Sequence, residues 1–348
     1  MNVSLDIRAA VLHVEETAQT PETIEKKIAS FLEGLDRFTQ SIGLKVISKR
    51  IVAPPVFLHK LPDVLDLLLN MAEAHHINYL GIPLLNVEAK SIAESLETYP
   101  KLYLSVEYNP KEMPEYIKTL RLITESSPLQ ATKFAVSFGP QPQTPYFPVT
   151  QSVKEGVTLS LLYTQMFENY TSQQIHKTIG EIQGVASLSW SNFLGIDFSL
   201  SPWMDNSVAR IIEKRSGVML TLPGTVAAIR ELNREIEELA KVFKSTGFNE
   251  VMLPIAEDNR LKELVKNGTL KLSHLINYST YCVAGLDMAV IPDTTEDNIL
   301  AGILNDLWHI YLLKRKTIGM RLILAPEEEG GEIDLGIFGK TPVISPLS

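Results

Sequence analysis

The sequence predicts an α/β fold in which mostly parallel strands are wrapped by helices. Short apolar runs alternate with longer amphipathic stretches along the whole chain, ten such runs can be counted, and hairpin signals between them are scarce. An eight-stranded β/α barrel is the default for such a string. Ten strands favour a larger barrel or an open doubly wound sheet. Residues 1–348 contain no linker, low-complexity tract or shift of composition, so a single domain is expected.

The elements follow in order. Val3–His13 has β-branched, alternating character and reads as a strand. Pro21–Gly43 reads as a helix, with Pro21 in its first turn, Ile24, Ile28, Phe31, Leu32 and Leu35 at spacings of three and four, and Gly43 as its stop. The same beat gives strands at Leu44–Ala53, Ile77–Leu84, Lys101–Tyr108 and Ala131–Gly139. Between them fall helices at Lys60–His75, up to Thr98, and at Lys111–Glu125. A proline-rich loop over Gly139–Thr150 interrupts the rhythm, and two helices are expected between Ser152 and Phe193. Strands resume at Gly195–Leu200, Glu250–Ala256, Gly285–Ile291, Thr317–Leu324 and Glu332–Phe338. Gly224–Phe243 is a helix whose stripe runs Val226, Ile229, Leu232, Ile236, Leu239, Val242.

Apolar residues make up 45% of the chain and charged ones 21%, which is ordinary for a globular protein and excludes disorder. A net charge of −9 argues against bulk affinity for nucleic acid or anionic membrane surfaces, though not against a local basic pocket. The single cysteine, Cys282, precludes an intrachain disulfide and fits a reducing compartment, so a cytoplasmic protein is expected. Asp6 and Arg8 interrupt the apolar run of Met1–His13, so no signal peptide is expected there, and no stretch of 18 apolar residues predicts a membrane-spanning helix. The seven histidines form no H-x-x-x-H or H-E-x-x-H pair. No dinucleotide fingerprint follows the first strand, and neither a Walker-type loop nor a G-x-S-x-G elbow occurs.

Several runs resemble the family catalogued as domain of unknown function 711. They are Ile7-Arg8, Arg50-Ile51-Val52, T-P-Y-F-P at Thr144–Pro148, G-I-D-F-S-L-S-P at Gly195–Pro202, L-P-G-T at Leu222–Thr225 and L-P-I-A-E-D at Leu253–Asp258. C-V-A-G-L-D-M-A-V-I-P at Cys282–Pro292, I-G-M-R at Ile318–Arg321 and the closing D-L-G-I-F-G with T-P-V-I complete the series, in family order. The resemblance implies a ten-stranded α/β barrel similar to that of glycyl radical enzymes, in agreement with the strand count. It implies no activity, because the family has none established.

Candidate residues fall into four sets. Cys282 looks like the family's own cysteine, and glycyl radical enzymes use a thiyl radical inside the barrel. The chain lacks the arginine–valine–x–glycine–aromatic signature of a radical glycine, and a small buried hydrophobe is the expected role of this thiol. Asp197, Glu257, Asp258 and Asp287 form an acidic set. Converging carboxylates suit a divalent cation or an acid–base pair, and the structural alternative is helix capping and pairing with arginine. Arg8, Arg50 and Arg321 sit in expected strands. Inward-pointing arginines need carboxylates or an anionic ligand, so the two outcomes are a self-paired network and an anion pocket. Tyr146 in T-P-Y-F-P belongs to a loop that either lids a pocket or plugs a barrel end.

These sets point to a barrel enzyme, or enzyme-like protein, that takes a small anionic metabolite through an arginine–carboxylate pocket. The alternatives are a non-catalytic ligand-binding or regulatory protein and a structural remnant of a glycyl-radical-type barrel. The resemblance further implies an ACT-domain protein as partner. A homo-oligomer is expected, with Gly224–Phe243 and Asn298–Leu313 as candidate contact surfaces. The sequence specifies neither metal, cofactor nor reaction.

Overall fold

The computed structural model describes residues 5–15 and 20–347, so Val3 and Ser4 of the first expected strand lie outside the described residues. Five parallel strands, β1 (Asp6–His13), β2 (Val46–Val52), β3 (Tyr79–Leu84), β4 (Leu102–Glu107) and β5 (Phe134–Phe138), lie side by side in chain order. Helices Pro21–Ile42, Leu61–Ala74, Ala89–Thr98 and Met113–Ser126 connect them. The first begins as its sequence requires: the Thr20 side chain accepts from the Thr23 amide, Pro21 follows, and Gly43 stops it with φ 71°.

The segment expected to be wholly helical, Ser152 to Phe193, opens instead with a strand, β6 (Gly156–Leu162), before helices Thr164–Asn169 and Ser172–Ser189. Val157, Leu159 and Leu161 alternate there with Thr158 and Ser160, a period of two, and all seven residues are buried. β6 runs antiparallel to β1, and β7 (Phe193–Asp197) runs parallel to β6. On the far edge, β11 (Ile318–Met320) runs antiparallel to β5. The eight-stranded sheet therefore reads β11-β5-β4-β3-β2-β1-β6-β7, with two antiparallel seams that an eight-stranded β/α barrel does not have.

Three expected strands are divided. Gly285–Ile291 becomes β9 (Ala284–Asp287) and β10 (Ala289–Pro292), separated by Met288 at φ 52°. Thr317–Leu324 becomes β11 and β12 (Leu322–Ala325), separated by Arg321. Glu332–Phe338 becomes β13 (Glu332–Asp334) of a small hairpin with β14 (Lys340–Pro342), joined by a 3₁₀ turn at Gly336–Phe338. β8 (Met252–Pro254) pairs with β9 and β10 with β12, both parallel, outside the large sheet. Isolated bridges, not ladders, link this part to the large sheet: Leu200 bridges Val251, Ile196 bridges Ser245, and the Gly319 amide donates to the Val283 carbonyl at 3.0 Å. The fold is mixed α/β around a large sheet, and its regular ladders do not form a closed barrel. No helix among the described residues is long and apolar enough to cross a membrane.

Alternation in β1 sorts its side chains into two cores. Ala10 and Leu12 join the main core beneath the helices, whereas Ala9 and Val11 join Val52 and Phe147 on the inner face. The loop between β5 and β6 packs into this inner face. Its Thr144, Tyr146, Val149, Thr150 and Ser152 are buried, and Phe147 lies so close over Gly81 that a Cβ there would come within 2.9 Å of its ring. His13, also inward, is fully buried, with Nε2 at 2.8 Å from Thr158 Oγ1.

Burial pushes the His13 pKa down to about 3. An unfolded histidine titrates near 6.5, so below that pH the unfolded chain binds a proton that the folded one refuses. The stability His13 gives is therefore complete above about pH 6.5 and erodes as pH falls toward 3, by about 1.4 kcal/mol per pH unit. Urea unfolding between pH 7 and 4 should show this slope, reduced in His13→Gln. An unchanged slope in the variant would assign the acid sensitivity to other groups.

Candidate functional site

A cavity of about 190 Å³ opens on the inner face and gathers residues from both ends of the chain. Six of the nine residues singled out from the sequence line it: Arg8, Arg50, Tyr146, Glu257, Asp287 and Arg321. Local backbone irregularities aim three of them. The register of β1 against β6 shifts between Ile7 and Ala9, a bulge centred on Arg8. Arg321 stands at the break between β11 and β12, and its backbone amide, free of the ladder, donates to Asp287 Oδ1 at 3.2 Å. Asp287 ends β9 just before the left-handed Met288.

These side chains form one alternating chain of charge. Arg321 donates from Nε and Nη2 to the two oxygens of Asp287 at 2.7 and 2.6 Å, a bidentate pair. The same Nη2 donates to Glu257 Oε1 at 3.2 Å, and Arg8 Nη2 donates to Glu257 Oε2. Arg8 also donates to the Pro202 carbonyl at 2.7 Å, with its guanidinium 5.5 Å from the Trp203 ring and 6.0 Å from that of Tyr146. Two guanidiniums thus face two carboxylates, and the group is neutral.

The local field follows from this pairing. Burial alone would raise the pKa of Glu257, but Arg8 and Arg321 outweigh it and hold the carboxyl below the usual range. Burial opposes the charge of Arg321 too, and Asp287 and Glu257 more than restore it, so its pKa rises. Burial pushes Tyr103 up to about 12 and raises Tyr146 further. Glu257 is therefore ionised and both phenols protonated at neutral pH, and none of the three is poised for proton transfer there.

Arg50 stands apart. Its Nε donates to Ser48 Oγ at 2.9 Å and its Nη1 to the Pro145 carbonyl at 3.2 Å. Its guanidinium lies 4.9 Å from the Phe147 ring and 5.6 Å from that of Tyr79. None of the ion pairs among the described residues includes it; the carboxylates of the cavity are held by Arg8 and Arg321. Burial, followed by repulsion from Arg8, lowers its pKa to about 10, so it stays charged at neutral pH.

The acidic set does not converge as a whole: Asp197 and Asp258 lie outside the cavity, as does Cys282. Asp197 accepts from Thr144 Oγ1 (2.6 Å), Ser199 Oγ (2.6 Å) and the amides of Ser199, Phe248 and Asn249. It ties the inner loop to the turn after Gly247, where φ is 79° and a Cβ would fall 2.0 Å from Asp197 Oδ2. Asp258 caps two helices at once, accepting from Val208 and Ala209 at the start of Val208–Ser216 and from Arg260 and Leu261 at the start of Asn259–Lys266. Cys282 is fully buried, which pushes its thiol pKa up, and its carbonyl accepts from Lys314 Nζ at 2.7 Å. No group of three or more His, Cys, Asp and Glu side chains that could hold a metal ion occurs among the described residues.

Most of the aromatic lining escaped sequence reading: Tyr79, Tyr103, Trp203, Phe248 and Phe338 come from five separate segments, whereas Phe147 sits beside Tyr146 in the T-P-Y-F-P loop. Of those five, Tyr103 carried a local signal, as the odd residue between the core residues Leu102 and Leu104 of β4.

Removing one partner of a buried pair leaves an uncompensated charge and costs about 3–5 kcal/mol. Arg321→Met should therefore lose about that much stability by urea unfolding. Arg50→Met, which orphans no carboxylate, should lose no more than about 1.5 kcal/mol. Equal losses would contradict the division into paired and unpaired arginines.

The chain is 30% identical over 155 residues to a UPF0210 protein of Halothermothrix orenii, covering 43% of this chain and 34% of the relative. It is 31% identical over 171 residues to a UPF0210 protein of Methanocorpusculum labreanum, covering 46% and 37%. A UPF0210 protein of Methanosarcina barkeri is 30% identical over 191 residues, covering 51% and 42%. The chain thus spans between about a third and two fifths of the length of these relatives. The family model described as "Uncharacterised ACR (DUF711)" matches residues 108–334, which include Glu257, Asp287 and Arg321 of the cavity, and the chain belongs to that family.

Proposed function

We propose that this chain binds a small organic anion in the inner cavity, with Arg50 as the principal contact and without chemical turnover. The unpaired guanidinium of Arg50 carries the reading. A half-buried cation flanked by two aromatic rings favours a counter-charge, and the nearby carboxylates are held by two other arginines. Binding is favoured over proton-transfer catalysis because Glu257 is held ionised and Tyr103 and Tyr146 protonated. A ligand-binding protein of this kind would suit a regulatory role beside an ACT-domain partner.

The scaffold in this reading is a ten-stranded barrel of two five-stranded halves. The antiparallel seams β1·β6 and β5·β11, the bridge from Leu200 to Val251 and the Gly319–Val283 hydrogen bond support closure of the ring. Such a ring matches the likeness to glycyl radical enzymes expected from sequence, with Cys282 buried outside the cavity and no radical chemistry assigned to it.

A thermal-shift screen against small organic and inorganic anions tests the binding reading. A ligand at 100 times its Kd adds about 2.7 kcal/mol, a shift of a few degrees for a chain of this size. Folded Arg50→Met should lose that shift. Full retention would remove Arg50 as the contact, and absence of any anion-dependent shift in the wild type would overturn the reading.

A further inference from the structure

We infer that the ligand of this cavity is a monocarboxylate whose single charge sits on Arg50 and whose body is apolar and about the size of one ring or one branched side chain; this rests on the anion-binding reading above. Charge counting sets the first part. The cavity holds three guanidiniums and two carboxylates, and the four groups of the Asp287–Arg321–Glu257–Arg8 chain cancel. One positive charge is left, so one negative charge completes the site. A dicarboxylate or a phosphate dianion would bring a second negative charge. It could be met only by drawing Arg8 or Arg321 away from a buried carboxylate, which would then stand unpaired.

Donor geometry favours a carboxylate. A guanidinium offers five N–H donors in a planar fork. On Arg50 the protein takes only Nε and one hydrogen of Nη1, which leaves three N–H donors, two of them on Nη2, to donate to the oxygens of a carboxylate. Phe147 and Tyr79 flank the group and limit the directions of approach to those donors.

The walls set the body. Apart from the charged and aromatic residues and three small polar ones, Ser48, Asn78 and Ser201, the cavity is lined mainly by Ala135, Val149, Met252, Val283, Ala284 and Met320. All but Met320 belong to a small apolar cluster of their own, separate from the main core beneath the helices, and this surface has no use for a polar ligand. An apolar cavity of about 150 Å³ holds one benzene ring. The 190 Å³ here leaves room for a ring or branched chain together with its carboxylate. An ammonium on the ligand would need a free acceptor, yet the carboxylates of Glu257 and Asp287 are committed to arginine. α-Amino acids are disfavoured on that ground.

Titration calorimetry of the intact chain separates these statements, using acetate, benzoate, 4-methylpentanoate, leucine, succinate and inorganic phosphate as probes. Benzoate or 4-methylpentanoate should bind at least about ten-fold tighter than acetate, which lacks the body, and than leucine, which differs from 4-methylpentanoate by its ammonium. Both should exceed succinate and phosphate by a similar factor. Arg50→Met should weaken the best ligand by about ten-fold or more. Arg50→Lys keeps the charge without the fork and should fall between the two. Acetate as strong as benzoate would overturn the apolar body, and leucine as strong as 4-methylpentanoate would overturn the exclusion of amines. Succinate or phosphate binding tightest would overturn the single charge while leaving an Arg50 anion site standing. Wild-type binding that persists undiminished in folded Arg50→Met, or binding of none of the six probes, would overturn this ligand class together with the reading it rests on.

Discussion

Four charged groups, three of them buried and Arg8 nearly so, are drawn from distant parts of the chain and must meet in one order: Asp287, Arg321, Glu257, Arg8. Arg8 and Glu257 are 249 residues apart, and Arg321 lies 64 residues beyond Glu257. None of the four can be buried alone, since an isolated ion loses more solvation than the interior returns. The bulge at Arg8, the end of β9 at Asp287, the left-handed Met288 and the interruption at Arg321 are the backbone terms of that meeting. Regular ladders give way at the point where the ion chain takes over the joining of β1 to the last strands.

Because the chain of pairs closes on itself electrically, the charge that remains is defined by subtraction. A protein of net charge −9 still presents a lone cation inside, on Arg50, between two aromatic faces. Bulk charge bounds what a surface attracts over distance and says little about an interior site. The inner loop contributes both to the enclosure and to the cation: Phe147 covers one face, and the Pro145 carbonyl holds Nη1.

Much of this was legible in the residues, and the rest was not, for physical reasons. Helical spacing and caps gave Pro21–Ile42 nearly to the residue, because periodicity and termini agree there. β6 was read as helix although Val157, Leu159 and Leu161 alternate with Thr158 and Ser160; burial on both faces places it among residues that pack like a core helix. Breaks inside apolar runs, as at Met288, leave no mark in composition. Inward arginines and carboxylates were legible as sets, yet which ones pair depends on bulges and strand ends, so Arg50 could not be told from Arg8 and Arg321. Asp197 and Asp258 carry the same residue type as Asp287 and end as a loop tie and a double cap. Apart from Tyr146 and Phe147 of the inner loop, the aromatic lining was invisible because its members meet only in space.

The placement of Trp203 gives the molecule an optical property. Of its three indoles, Trp190 is buried at the end of helix Ser172–Ser189, donating to the Phe31 carbonyl of helix Pro21–Ile42, and Trp308 packs against Tyr108 and Tyr311. Trp203 alone lines the cavity, under the Arg8 guanidinium. Two indoles therefore form a constant background, and the third reads the electric field of the chamber through its emission, making occupancy a spectroscopic quantity that needs no label.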